Sequence, residues 1–191
     1  MLILGAWKQH ASAVLAVESP VLCTIPGPPQ YAFGDVAINR MASWTFEILN
    51  GSISECDRIV GGGVLQWSIT VDPSAKWITV TPSSGTTTTE RDIITVTINT
   101  TGLAAPSTYN GKLTITSNGR DKPLDGIIQL HTILFAPEDV NRDGVVTLAD
   151  LSILVLNFRP AAVIQPRADV NGDGVVDVLD LATVGNVFRG N

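Results

Sequence analysis

Two thirteen-residue stretches gather the side chains that could hold a hard cation. Residues 139–151 read Asp-Val-Asn-Arg-Asp-Gly-Val-Val-Thr-Leu-Ala-Asp-Leu, and residues 169–181 read Asp-Val-Asn-Gly-Asp-Gly-Val-Val-Asp-Val-Leu-Asp-Leu. They lie 30 positions apart and agree at nine of thirteen positions, which marks a duplicated structural unit. A calcium ion takes about six to eight oxygen ligands, and a twelve-residue loop supplies them from positions 1, 3, 5, 7, 9 and 12. In the first stretch these are Asp139, Asn141, Asp143, the Val145 carbonyl, Thr147 and Asp150. In the second they are Asp169, Asn171, Asp173, the Val175 carbonyl, Asp177 and Asp180. Gly144 and Gly174 stand at position 6, where the chain must turn sharply. Asp also caps helices, but capping alone explains neither the glycines nor the spacing. Two calcium ions are therefore expected, one per loop. The first loop has three carboxylates and carries Arg142, whereas the second has four. The second is expected to fill first, because more ligand charge binds calcium more tightly.

Each loop runs into a helical pattern. Leu151, Leu154 and Phe158 fall at i, i+3 and i+7, and Leu181, Val184 and Phe188 repeat that spacing. The first helix carries Leu148, Leu151, Ile153, Leu154, Val155, Leu156 and Phe158, which leaves it apolar nearly all round. Such a helix is covered on all sides, either by the rest of its own chain or by another one. Residues 136–191 hold eight of the 18 acidic residues and four of the 12 basic ones, so they form a distinct acidic unit. A unit of about 55 residues builds only a marginal core. It is expected to be loose without its ion, since binding energy adds to folding energy.

What precedes must serve as a scaffold. From 31 to 135 the chain reads as strands over Tyr31–Asp35, Trp44–Leu49, Val64–Val71, Trp77–Thr81, Asp92–Asn99, Tyr109–Ser117 and Ile127–Phe135. Alternation is cleanest where Ile94, Val96 and Ile98 share one face with Thr95 and Thr97 on the other, and where Leu113 and Ile115 oppose Thr114 and Thr116. Seven such strands predict an immunoglobulin-like β-sandwich. Asn50-Gly51 and Asn118-Gly119 read as tight turns with positive φ, and 83–89 reads as a polar loop. Residues 1–30 read as a leader or signal remnant, with its end near Ala16, followed by the Pro-rich stretch 26–29. Cys23 and Cys56 allow one disulfide or two buried thiols, and the extracellular character of the remainder favours the bridge. Asn50 and Asn99 begin possible glycan-acceptor triplets.

Several classes are disfavoured. The net charge is -6 with no Lys/Arg cluster, unlike a nucleic-acid binder. No apolar stretch reaches the length of a membrane span. His10 and His131 are the only histidines, and no nucleophile–base motif surrounds any Ser or Cys, so a noncatalytic protein is expected.

The duplicated Asp-x-Asn-x-Asp-Gly loops, with Asp at position 12 and Leu after it, resemble a type I dockerin over 136–191. The resemblance implies one helix per EF-hand-like loop and calcium-dependent docking onto a cohesin domain outside the cell. It further implies contact through loop positions 10 and 11 and the helix positions seven residues on. Here these are Leu148, Ala149, Val155 and Leu156 in the first copy, and Val178, Leu179, Gly185 and Asn186 in the second. The family often has Ser/Thr and Lys/Arg there, whereas this chain is mostly apolar. Leu65-x-Trp67-Ser68-Ile69 and Trp77-Ile78-Thr79-Val80-x-Pro82-x-Ser84-Gly85 resemble a BACON-type immunoglobulin-like module over about 31–135. That implies a noncatalytic module with a proposed carbohydrate role. Trp67 and Trp77 either stack on sugar rings or fill the sandwich core, and Trp44 reads as structural. Together these features predict a mainly β sandwich followed by a small α-helical calcium-binding unit. The expected role is extracellular assembly through a cohesin-like partner. Self-assembly into a fibre is one alternative, and polysaccharide binding is a second.

Overall fold

The computed structural model describes residues 19–26, 30–51, 56, 62–121, 126–158 and 165–188. The expected leader, 1–17, and most of the Pro-rich stretch lie outside the described residues. Among the described residues, ten strands form two five-stranded sheets. They are β1 (Val21–Ile25), β2 (Gln30–Ala37), β3 (Met41–Asn50), β4 (Leu65–Val71), β5 (Ile78–Thr81), β6 (Ser84–Thr87), β7 (Arg91–Asn99), β8 (Ser107–Ser117), β9 (Arg120–Asp121) and β10 (Ile127–Phe135). One sheet runs β5-β7-β3-β1-β9 and the other β2-β10-β8-β4-β6.

Period-two patterning decides which way each strand faces. In β7, Ile94, Val96 and Ile98 are buried and Thr95 and Thr97 are half-buried on the other face. Phe46 and Ile48 of the neighbouring β3 extend that layer, and Leu113 and Ile115 of β8, Trp67 of β4 and Leu130 of β10 join the same core from the other sheet. At about 25 cal/mol per Å² of apolar surface, these large side chains supply most of the driving force for folding. Gly85 of β6 lies against the Trp67 indole, where an added Cβ would sit 2.5 Å from its Cζ2.

Three local expectations fail. Val21–Ile25, assigned to the lead-in, is a buried strand paired with β3 on one side and β9 on the other. Ser84–Thr87, read within a polar loop, pairs with β4 as an edge strand because Thr87 turns inward. Neither Gly51 nor Gly119 adopts positive φ. Instead Asn50 ends β3, and the Asn118 side chain accepts from Gln66 N and donates to the Val64 carbonyl.

The last part of the chain holds α1 (Leu148–Leu156) and α2 (Val178–Phe188), with a 3-10 turn at Pro166–Ala168. The helices share a separate small core of Val140, Leu154, Ala168, Val170, Val176 and Val184. Leu154 and Val184 are the middle members of the two predicted apolar triplets, and both are fully buried. Phe158 lies beyond the end of α1 and is exposed.

Candidate metal centre

Each loop folds around its own carboxylates. In the first, Asp139 Oδ1 accepts from Asp143 N at 3.1 Å and Oδ2 from Gly144 N at 2.8 Å. Asp143 Oδ1 accepts from Val145 N, and Asn141 Oδ1 accepts from Asp143 N, both at 2.9 Å. Asp150 closes the loop: its Oδ1 accepts from Asn141 N at 3.0 Å and its Oδ2 from Thr147 N at 2.7 Å. Thr147 is the N-cap of α1, and with Asp150 it forms a capping box. One fully buried carboxylate therefore ties the start of the loop to the first turn of the helix.

The second loop repeats this scheme 30 residues on. Asp169 accepts from Asp173 N at 3.1 Å and Gly174 N at 2.8 Å. Asp180, also fully buried, accepts from Val170 N, Asn171 N and Asp177 N at 2.8–3.1 Å. Asp177 caps α2 by accepting from Leu179 N at 2.8 Å. Gly144 and Gly174 turn at φ +92° and +90°, which side chains resist.

Among the described residues, no three His, Cys, Asp or Glu side chains gather into a ready metal cage. The donor chemistry nevertheless fits a hard divalent cation. Every side-chain group offered is an oxygen, each loop supplies three or four carboxylates, and the N–H bonds they accept leave lone pairs free. Burial alone would raise the Asp150 carboxyl. The N–H groups of Asn141 and Thr147 outweigh it and hold the group below the ordinary range, so it is ionised at neutral pH.

The helices leave apolar side chains uncovered. Leu148, Val155 and Leu156 of α1 are 72%, 61% and 78% exposed, and Val178 and Leu179 of α2 are also exposed. Among the described residues, then, the chain's own packing does not cover these side chains. Leu148, Val155 and Leu156 border a groove with Leu151 and Ser152. Ala149 and Asn186 are exposed and Gly185 is half-buried, with open space where its Cβ would be.

Other candidates separate. Cys23 and Cys56 are joined in a disulfide across 33 positions. Asn50, the first possible glycan acceptor, is fully buried, its Oδ1 accepting from Val21 N and its Nδ2 donating to the Gly63 carbonyl. Asn99 is exposed. Of the two readings of Trp67 and Trp77, the structure bears out the core one, because both are buried in the sandwich. Trp67 Nε1 donates to Thr87 Oγ1 and Asp92 Oδ2.

Sequence reasoning missed how the loops meet the sandwich. Arg142 of the first loop pairs with Asp35 of β2, and its guanidinium lies 4.0 Å from the ring centroid of Phe135 in β10. Arg40 donates to the Asn171 carbonyl of the second loop at 3.2 Å. A cleft of about 250 Å³ separates the two parts, lined in part by Arg40, Phe135, Asp139, Arg142 and Asp169. The one available signal was Arg142 occupying a loop position that its duplicate fills with Gly172.

No curated protein matches the chain. Among solved structures, it is similar to a Bacteroides ovatus GH5 xyloglucanase in complex with a heptasaccharide (13% identity, TM-score 0.40, 60% of this chain). The chain spans 19% of that enzyme's length. It is also similar to PapD-like domain 7 of human CEP192 (11% identity, TM-score 0.45, 71% of this chain and 97% of that one). A third is a putative carbohydrate binding protein from Bacteroides ovatus (12% identity, TM-score 0.42, 55% and 34%). Family comparison is more specific, and both matching families are noncatalytic modules. Residues 58–122 match the viral BACON domain and residues 137–189 match the dockerin type I domain, so the chain carries a BACON-like stretch followed by a dockerin-like one.

Proposed function

We propose that this chain is an extracellular, noncatalytic assembly protein in which a sandwich module, about 31–135 with β1 added, carries a calcium-dependent docking module over 136–191. The observation that carries the reading is the repeated wrapping of two Asp-lined loops, each leading into a helix that exposes apolar residues. Calcium bound at each loop would supply a charge that holds its oxygens together. Asp139, Asn141, Asp143, Val145, Thr147 and Asp150 serve the first EF-hand-like site, and the residues 30 positions on serve the second. Asp150 and Asp180 then link ion binding to the first turn of each helix, which presents Leu148, Ala149, Val155 and Leu156, or Val178, Leu179, Gly185 and Asn186, to a partner. Dockerin domains dock onto cohesins, so a cohesin-like domain is the first partner proposed. The disulfide supports an oxidising compartment outside the cell.

The exposed apolar face of α1 favours a second reading, self-association, because apolar contacts suit lasting interfaces. A head-to-tail contact of this kind propagates into a fibre. Polysaccharide binding has lost its two tryptophan platforms. Calorimetry is expected to count two calcium ions per chain. Light scattering on a sizing column, with calcium and then EGTA, separates the readings. Large species that EGTA dissolves favour self-association, and a monomer that compacts with calcium favours a separate partner. No calcium uptake would refute both.

A further inference from the structure

We propose that the sandwich tunes the first calcium loop, with Asp35 acting as a positioning residue that draws the Arg142 charge away from the ligand oxygens. The inference rests on the calcium reading above. Arg142 stands at loop position 4, between Asn141 and Asp143. A guanidinium there opposes a divalent cation and competes with it for the same carboxylates. Its backbone holds φ +62°, a conformation its counterpart Gly172 adopts freely at +77°. An Arg at this position is therefore unfavourable both sterically and electrostatically for the loop taken alone.

The sandwich reverses the electrostatic part. Asp35 and Phe135 belong to β2 and β10, which pair in parallel, with Asp35 opposite Ile133 and Phe135 opposite Ala37. The guanidinium pairs with the Asp35 carboxylate and stacks over Phe135. The Arg142 side chain is only 22% exposed. Its charge is thus neutralised and held against the sheet instead of the loop interior. The second loop has a glycine at this position and needs no such partner, so it serves as an internal control.

The test is a site-resolved calcium titration of the full chain by NMR, following the Gly144 and Gly174 amides. Asp35→Asn leaves an uncompensated charge beside the first loop and is expected to weaken that site about fivefold, with the second unchanged. Arg142→Gly is expected to bind at the first site at least as tightly as the wild type. Adding Asp35→Asn to Arg142→Gly is expected to change nothing. An unaltered first site in Asp35→Asn overturns the inference, as does equal weakening of both sites or a persistent effect in the double variant. If the wild type takes up no calcium, the functional reading fails first and this inference with it. If it binds calcium normally and Asp35→Asn is silent, only this inference fails.

Discussion

Leu154 is fully buried at the centre of the small core that α1 and α2 share. Among the described residues, six buried apolar side chains make up that core, against sixteen in the main core of the sandwich. Leu154→Ala removes the largest of the six and leaves a cavity, at a cost of about 3 kcal/mol. A unit of about 55 residues has little more stability than that to lose. The helices of the variant are therefore expected to melt in EGTA. Calcium at about a thousandfold above its dissociation constant adds about 4 kcal/mol per site, enough to restore them. Two signals separate the parts, because Trp7, Trp44, Trp67 and Trp77 all precede residue 136. Tryptophan fluorescence follows the sandwich, and helical circular dichroism follows the loop–helix pair. In Leu154→Ala, the dichroism transition is expected to fall with calcium and to be lost in EGTA while the fluorescence transition stays in place. If both transitions fall together, the two cores fold as one unit and the reasoning is refuted. Helices that persist in EGTA would refute the marginal-core argument.

Three further outcomes follow from particular contacts. Cys23→Ser opens a 33-residue separation and is expected to cost about 3.5 kcal/mol, read from urea unfolding by tryptophan fluorescence; an unmoved midpoint would argue against it. Gly85→Ala drives a Cβ into the Trp67 ring and is expected to cost about 1–3 kcal/mol with a shift in tryptophan emission, whereas wild-type stability would mean that β6 simply moves aside. The N–H groups of Asn141 and Thr147 hold the folded Asp150 carboxyl below the ordinary aspartate value. Its contribution is therefore complete above that value and lost as pH falls through the lower folded one. In EGTA the helical signal is expected to fall below about pH 4, and a signal that stays flat under acid until the sandwich also unfolds would contradict this.

The loops were legible because their chemistry is local. Asp139 reaches Gly144 five residues on, and Asp150 reaches back nine to Asn141, so ligand spacing and backbone turning are written in one short stretch. The strands with clean alternation, β7 and β8, were legible for the same reason. Val21–Ile25 was not, because a stretch buried at four consecutive positions carries no alternation, and it became a strand by pairing with β3 and β9. Asn50 illustrates the limit: its triplet reads as a possible acceptor, while two backbone groups distant in sequence claim its buried side chain.

Local order along the chain thus determined the duplicated oxygen donors, their glycines, the capping residues and the helices that follow. Tertiary structure alone decided which side chains those helices leave uncovered, where the tryptophans point, and what neutralises Arg142. Asp35 and Arg142 are 107 positions apart, and nothing in either neighbourhood specifies the other. Only the packing of β2 and β10 against the first loop brings the two charges together.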